Sequence, residues 1–178
     1  MGKNISAIIF VIVFFPFTII FFIFKNLINY IQKKQINNYI SKLTIDNIDS
    51  LSGDEFEDFL YYLFLSLNFK VKKTQKSHDY GADLIIKSKD KLIVIQCKLY
   101  NNHSVGNSAV QEIYTATNYY NASLGVVITN SYFSKPAISL AEKSGIKLWN
   151  RNILKQMINL NSFQKKELKK QLFNCNNT

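Results

Sequence analysis

Three polar side chains of different chemistry stand in or beside two short apolar runs. Asp83 opens Asp83-Leu84-Ile85-Ile86-Lys87, and Gln96 and Lys98 close Lys91-Leu92-Ile93-Val94-Ile95-Gln96-Cys97-Lys98. A carboxylate and a carboxamide oxygen together suit a hard cation such as Mg²⁺, which takes oxygen ligands and keeps several waters. An ammonium beside them can hold or polarise a water and steady charge developing on a phosphate. That is a set of groups for hydrolysing a phosphodiester. The same three residues would also suit the solvent face of a half-exposed strand that does no chemistry.

The elements that must position these groups are legible around them. Both runs are rich in branched apolar residues and read as strands, with Lys89-Asp90 as the polar break between them. A turn at those two residues pairs Ser88 with Lys91 and Ile86 with Ile93, and puts Asp83 opposite Gln96. Strand alternation adds Lys98 to that face and sends Ile93, Ile95 and Cys97 to the other. A slip of one residue would separate the three groups.

Upstream, Ser52 to Leu67 reads as a helix. Ser52 and Glu55 form a capping box, and Phe56, Phe59, Leu60, Leu63, Phe64 and Leu67 make one apolar stripe. Asn68 follows where a left-handed residue is wanted. Glu55 thus has a structural task, whereas Glu57 borders the stripe, either facing a cleft or simply solvated. Phe69 to Thr74 alternates like a strand.

Downstream, a helix is expected from Asn107 or Ser108 to Tyr120, with Ser108 and Gln111 as its capping pattern. A uniformly apolar strand runs from Leu124 to Thr129. A helix from Ser134 to Ser144 has Pro136 in its first turn and Gly145 at its end, and Ile146 to Trp149 is a last strand. This order predicts an α/β sandwich with a central mixed β-sheet flanked by helices. Tyr114, Tyr119 and Tyr120 read as packing residues before they read as base-stacking ones. His78 reads as a loop residue at the surface.

The residues around the three groups sharpen the reading. Asp79-Tyr80-Gly81-Ala82-Asp83 followed by Gln96-Cys97-Lys98 resembles the D-x-G-x-D … Q-x-K signature of Mrr-like restriction endonucleases. These are type IV restriction enzymes of the PD-(D/E)xK nuclease superfamily. The resemblance takes in Leu51-Ser52-Gly53-Asp54-Glu55-Phe56-Glu57, Val105-Gly106, Ala109-Val110-Gln111-Glu112 and Gly125 to Asn130, and spans Leu51 to Leu154. It implies a restriction-endonuclease-like sandwich and a Mg²⁺-dependent DNA endonuclease. It also implies that Asp83 and Gln96 surround the metal, that Glu57 completes the metal site, and that Lys98 is the catalytic cation. Gln96 departs from the superfamily, where many members carry Glu or Asp, and it removes one negative charge from the metal set. A homodimer would supply the second site needed to cut both strands. The rival reading is a catalytically weak module of the same fold that binds DNA or a partner at the membrane.

The rest of the chain bears on where this happens. Of its 178 residues only two are cysteines, Cys97 and Cys175, which fits neither a disulfide framework nor a zinc site. Ile5 to Phe24 is nearly all apolar, and twenty residues at about 1.5 Å each would span the roughly 30 Å hydrocarbon core. Lys25, Lys33, Lys34 and Lys42 follow it against Lys3 before it, so the positive-inside rule predicts a single-pass anchor in the cell membrane with a cytoplasmic C-terminal domain. The expected divisions are an anchor over 1–25, a juxtamembrane connector over 26–50, a nuclease domain over 51–154 and a basic helical tail over 155–178. The net charge of +10 is unevenly placed: five Lys and two Asp give residues 1–50 a charge of +3. Eleven Lys and nine acidic residues give 51–150 only +2, and one Arg, five Lys and one Glu give 151–178 a charge of +5. Lipid accounts for that excess as readily as DNA does, so the motif carries the nuclease reading and the charge does not.

Overall fold

The computed structural model describes residues 3–75, 80–88, 91–160, 164, 167 and 168, without the side chains of residues 3–15 and 88. His78, Asp79, the Lys89-Asp90 turn, Cys175 and most of the expected basic tail lie outside the described residues. In chain order the elements are α1 (Lys3–Ser41), α2 (Ile45–Asp49), α3 (Gly53–Ser66), β1 (Val71–Lys73), β2 (Leu84–Ser88) and β3 (Lys91–Lys98). They continue with α4 (Asn107–Tyr119), β4 (Leu124–Thr129), α5 (Lys135–Ser144), β5 (Lys147–Trp149) and α6 (Arg151–Ile158). The chain falls into two compact units, residues 1–38 and 39–178.

The first unit is the body of α1, whose 39 residues run through the expected boundary at residue 25 and include Pro16. Among the described residues no helix is long and apolar enough to cross a membrane. Side chains are described from Pro16 onward, and beyond Phe24 the apolar run is diluted by Lys25, Asn26, Asn29, Gln32, Lys33 and Lys34. No span is thus found among the described residues, and the side chains of residues 5–15 of the expected span lie outside them.

The second unit is a five-stranded sheet in the order β1-β2-β3-β4-β5, antiparallel as far as β3 and parallel from β3 to β5. The mixed sheet flanked by helices is the expected architecture. The hairpin has the expected register, with Ser88 on Lys91 and Ile86 on Ile93. Parallel pairs need crossovers, and α4 and α5 provide them. The two helices cover one face with Ala109, Val110, Ile113, Ala116, Ala137 and Ala141 against Val94 and Val127. Gly125 lets α4 approach, because a Cβ there would strike the Thr117 hydroxyl and Ile146.

The other face belongs to α3. Paired strand residues share a face, so Cys97, Ile128 and Trp149 line up, and the Phe64 ring packs 6.3 Å from Trp149. The capping box of α3 forms as expected, with the Glu55 carboxylate accepting from the Ser52 N–H at 2.7 Å. Asn68 takes the left-handed conformation after the helix, at φ 63°. Phe56, Phe59, Leu60, Leu63 and Phe64 are all buried, each worth roughly 1.5–3 kcal/mol over exposure. A charge at Phe59 would break that stripe. The expected cap of α4 is corrected: the N-cap is Gly106, with no side-chain capping bond. The helix begins at Asn107, so Ser108 is already inside the first turn.

Candidate active site

Asp83 stands one residue before β2, at the open end of the hairpin, with its backbone tied on both sides. Its N–H donates to the Ile95 carbonyl at 2.8 Å, and its own carbonyl accepts from the Thr74 N–H at 3.0 Å. The Thr74 hydroxyl adds a bond to the Ala82 carbonyl at 2.6 Å. With its main chain fixed, the Asp83 carboxylate reaches across to β3. There Oδ2 accepts from Gln96 Nε2 at 2.7 Å and from the Cys97 N–H at 2.6 Å. The expected opposition of Asp83 and Gln96 is thus a direct hydrogen bond.

That bond settles which way the Gln96 carboxamide points. Its NH₂ faces Asp83, and its oxygen, Oε1, is buried with no hydrogen-bond partner among the described residues. Gln96 as a whole is only 6 % exposed. An unsatisfied buried acceptor costs about 1–3 kcal/mol, so this atom is where a ligand would repay the deficit.

Lys98 lies two residues further along the same strand face. Its Nζ is 2.6 Å from Oε2 of Glu112, the only charged residue of α4. Glu112 also touches the loop that carries Asp83. Gly81 has φ +89°, and a Cβ there would come within 2.6 Å of the Glu112 carbonyl oxygen. Only glycine meets both conditions, which gives the middle residue of the D-x-G-x-D pattern its physical reason. Beside it Tyr80, at φ 50°, stacks on Tyr119 with ring centroids 3.7 Å apart. Its hydrogen bond with Tyr119 raises the Tyr119 pKa above the ordinary phenol value. The motif turn is therefore docked on α4 at two points, and α4 also holds Lys98.

Glu57 comes from the other side. It is half-buried on α3, which covers the Cys97 face of the sheet, while Asp83, Gln96 and Lys98 share the α4 face. The Cys97 thiol, buried between the two, has its pKa pushed well up, first by burial and then by the charges of Asp83 and Glu57. Both carboxylates thus approach the strand at Cys97, Asp83 from the hairpin and Glu57 from α3. Among the described residues no three His, Cys, Asp or Glu side chains gather as a metal site. The donor set here depends instead on a carboxamide. Two kinds of hard oxygen, the Asp83 carboxylate and the orphaned Gln96 Oε1, fit a Mg²⁺ ion.

A second polar cluster adjoins this one. Arg151 grips Asp49 through Nη1 to Oδ1 at 2.6 Å and Nη2 to Oδ2 at 2.7 Å. Asn130 Nδ2 donates to Asp49 Oδ1 at 2.8 Å, Arg151 Nη1 donates to the Asn130 carbonyl at 2.9 Å, and the Tyr100 N–H donates to Asn130 Oδ1 at 2.9 Å. The guanidinium hydrogen bonds hold the Asp49 carboxyl below the usual carboxylate range and raise Arg151 in turn.

Sequence reasoning brought out Asp83, Gln96, Lys98 and Glu57 and missed Glu112, Asp49, Asn130 and Arg151. For Glu112 a signal existed: it is the sole charge on the helix that must cross over the strand bearing Lys98.

Comparison with known proteins bears on the family of the chain. The Mrr catalytic-domain model, described as restriction endonuclease, matches residues 48–158. Three solved structures are similar in fold. A protein of unknown function, AF1548, is 16 % identical at a TM-score of 0.49, over 65 % of this chain and 76 % of its own. The DNA modification-dependent restriction endonuclease AspBHI is 16 % identical at 0.49, over 80 % of this chain and 39 % of its own. The MspJI restriction endonuclease, in complex with a 27-mer oligonucleotide, is 14 % identical at 0.45, over 80 % of this chain and 35 % of its own. No curated protein matches.

Proposed function

The chain belongs to the restriction endonuclease family, and from that premise we propose that it is a Mg²⁺-dependent DNA endonuclease hydrolysing phosphodiester bonds at Asp83, Gln96 and Lys98. The observation that carries the reading is Gln96 Oε1, buried and without a partner among the described residues, beside a carboxylate that two donors hold in place. Asp83 and Gln96 would hold the ion, with Glu57 and the Cys97 carbonyl as further oxygen donors. A bound Mg²⁺ supplies Lewis acidity, lowering the pKa of a coordinated water and neutralising phosphate charge.

The chain's own residues do the rest. The N–H of Cys97 and the NH₂ of Gln96 fix the Asp83 carboxylate, so it does not have to be ordered when substrate arrives. Lys98 orients the attacking water and offsets the negative charge that gathers on the phosphate oxygens during in-line displacement. Glu112 keeps the ammonium on station. Gln96 leaves the set one negative charge short of an acidic pair. That weakens its grip on Mg²⁺ and is the observation favouring the rival reading, a DNA- or partner-binding module. The single-pass anchor with a cytoplasmic domain rests on the composition of Ile5 to Phe24 and the lysines after it. Protease added outside intact cells should leave the domain uncut.

The test of the function is plasmid cleavage by the full chain with and without Mg²⁺. Nicked or linear product that needs Mg²⁺ and vanishes in Asp83→Ala is expected. Intact plasmid at all Mg²⁺ concentrations would hand the case to the binding module.

A further inference from the structure

We infer that the cavity just beyond Lys98 is a seat for one unstacked nucleobase of the bound DNA. The inference rests on the endonuclease reading and extends it to a contact that neither the motif nor the fold assigns. β3 and β4 run parallel, with Lys98 paired to Thr129, so the residues that follow each strand emerge at the same end of the sheet. They line a cavity of about 700 Å³, with Tyr100, Asn101, Asn102 and His103 after β3 and Asn130 and Tyr132 after β4. Its size falls within the roughly 300–1,000 Å³ usual for small-ligand sites. Tyr100 lies two residues past Lys98, about 7 Å along an extended chain. A base seated there belongs to a nucleotide next to the one whose phosphate meets Lys98.

The lining selects the ligand. The charged pair in the wall, Asp49 and Arg151, is closed on itself through the two short hydrogen bonds between them. The cavity therefore offers a phosphate no net attraction. What it offers instead is rings and carboxamides. Tyr132 is 50 % exposed. Tyr100 and His103 meet edge to face at 5.1 Å, and Asn101 and Asn102 are exposed. Flat faces for stacking, with amides that both donate and accept, are the chemistry that reads an unpaired base. The floor is preorganised, because Asn130 is 2 % exposed and bonded to Tyr100, Asp49 and Arg151.

The test uses the full chain carrying Asp83→Ala, so that no strand is cut, and fluorescence anisotropy with a labelled single-stranded oligonucleotide. A second oligonucleotide has the same backbone with abasic residues. Adding Tyr132→Ala should weaken binding of the base-bearing strand roughly five- to 150-fold, the value of one ring-on-base stack. Binding of the abasic strand should not change, and Tyr132→Phe should restore the loss. His103→Ala should act in the same direction. Both side chains are exposed, and thermal melting checks that the variants fold. Equal weakening of both strands, or of neither, overturns the base seat. If that happens while the unmodified chain still cuts plasmid with Mg²⁺, the endonuclease reading stands alone. If the chain neither binds nor cuts, both fall.

Discussion

The two polar clusters at the carboxyl ends of β3 and β4 use similar residues to opposite effect. Around Asp49, each charged or amide group meets its complement: carboxylate against guanidinium, carboxamide NH₂ against carboxylate, carboxamide oxygen against a backbone N–H. Around Asp83 the carboxylate is equally well held, yet the carboxamide that holds it leaves its oxygen buried and unanswered. Its neighbouring ammonium is tethered to a helix across the sheet. A closed cluster of this kind fastens α2, α6 and a strand end to one another. An open one carries a standing cost that a ligand can remove, and such costs are expected at functional sites.

The largest effect should come from breaking the open cluster. Asp83→Ala and Lys98→Ala should each lower cleavage by roughly a hundredfold or more, by analogy with the loss of one preorganised electrostatic group. Lys98→Ala should leave the melting temperature little changed, whereas Asp83→Ala should lower it, because the Gln96 NH₂ and the Cys97 N–H lose their acceptor. The double variant should be no worse than the weaker single one, because both groups serve one step. Glu112→Gln keeps a hydrogen-bond acceptor but removes the counter-charge. It should lower kcat about 10- to 100-fold, as supporting residues do, with KM held. A matched rise in KM alone would make Glu112 a DNA-contact residue instead.

The closed cluster should respond in stability and not in chemistry. Asp49→Ala leaves Arg151 with the Asn130 carbonyl and the exposed carboxylate of Asp46, 3.8 Å away. Full burial would make that cost about 3–5 kcal/mol, and with a third of Asp49 exposed roughly 1–3 kcal/mol is expected. Activity per folded molecule should be kept. The pH dependence has a definite sign. Asp49 has a folded pKa below its unfolded one, so its stabilisation is present above the unfolded value and lost as pH falls through the folded value. Urea melts from neutral pH into the acid range should therefore converge for the parent and Asp49→Asn. Parallel curves would show that the pair is not what acid breaks. The smallest contrast lies on α3. Glu55→Ala should cost about 0.5–2 kcal/mol by loss of its cap, with activity kept. Glu57→Ala should spare stability and reduce activity if it reaches the metal. Loss of stability alone would remove Glu57 from the site.

The same contrast explains what could be read from the chain. The hairpin register was legible because a two-residue polar break between two apolar runs fixes which residues pair on either side of it, and Asp83, Gln96 and Lys98 followed from it. The α3 cap and stripe were legible because both are local. Glu112 was legible only as the sole charge on α4; its contact with Lys98 was not, since it depends on how α4 is rotated over the sheet, which Gly81 and Gly125 help decide by close approach. Asp49 and Arg151 lie 102 positions apart and carry no periodic signal. The five-residue helix that ends at Asp49 was hidden in what read as a connector.

Gln96→Glu tests the central claim most directly, because it changes the one atom group that distinguishes the open cluster. Cleavage by the full chain is measured across a Mg²⁺ titration for the parent and the variant. If Asp83 and Gln96 surround the ion, the added charge moves half-maximal cleavage to lower Mg²⁺. An unchanged Mg²⁺ dependence, together with cleavage that survives Asp83→Ala, would mean that the three residues share a strand face and nothing more.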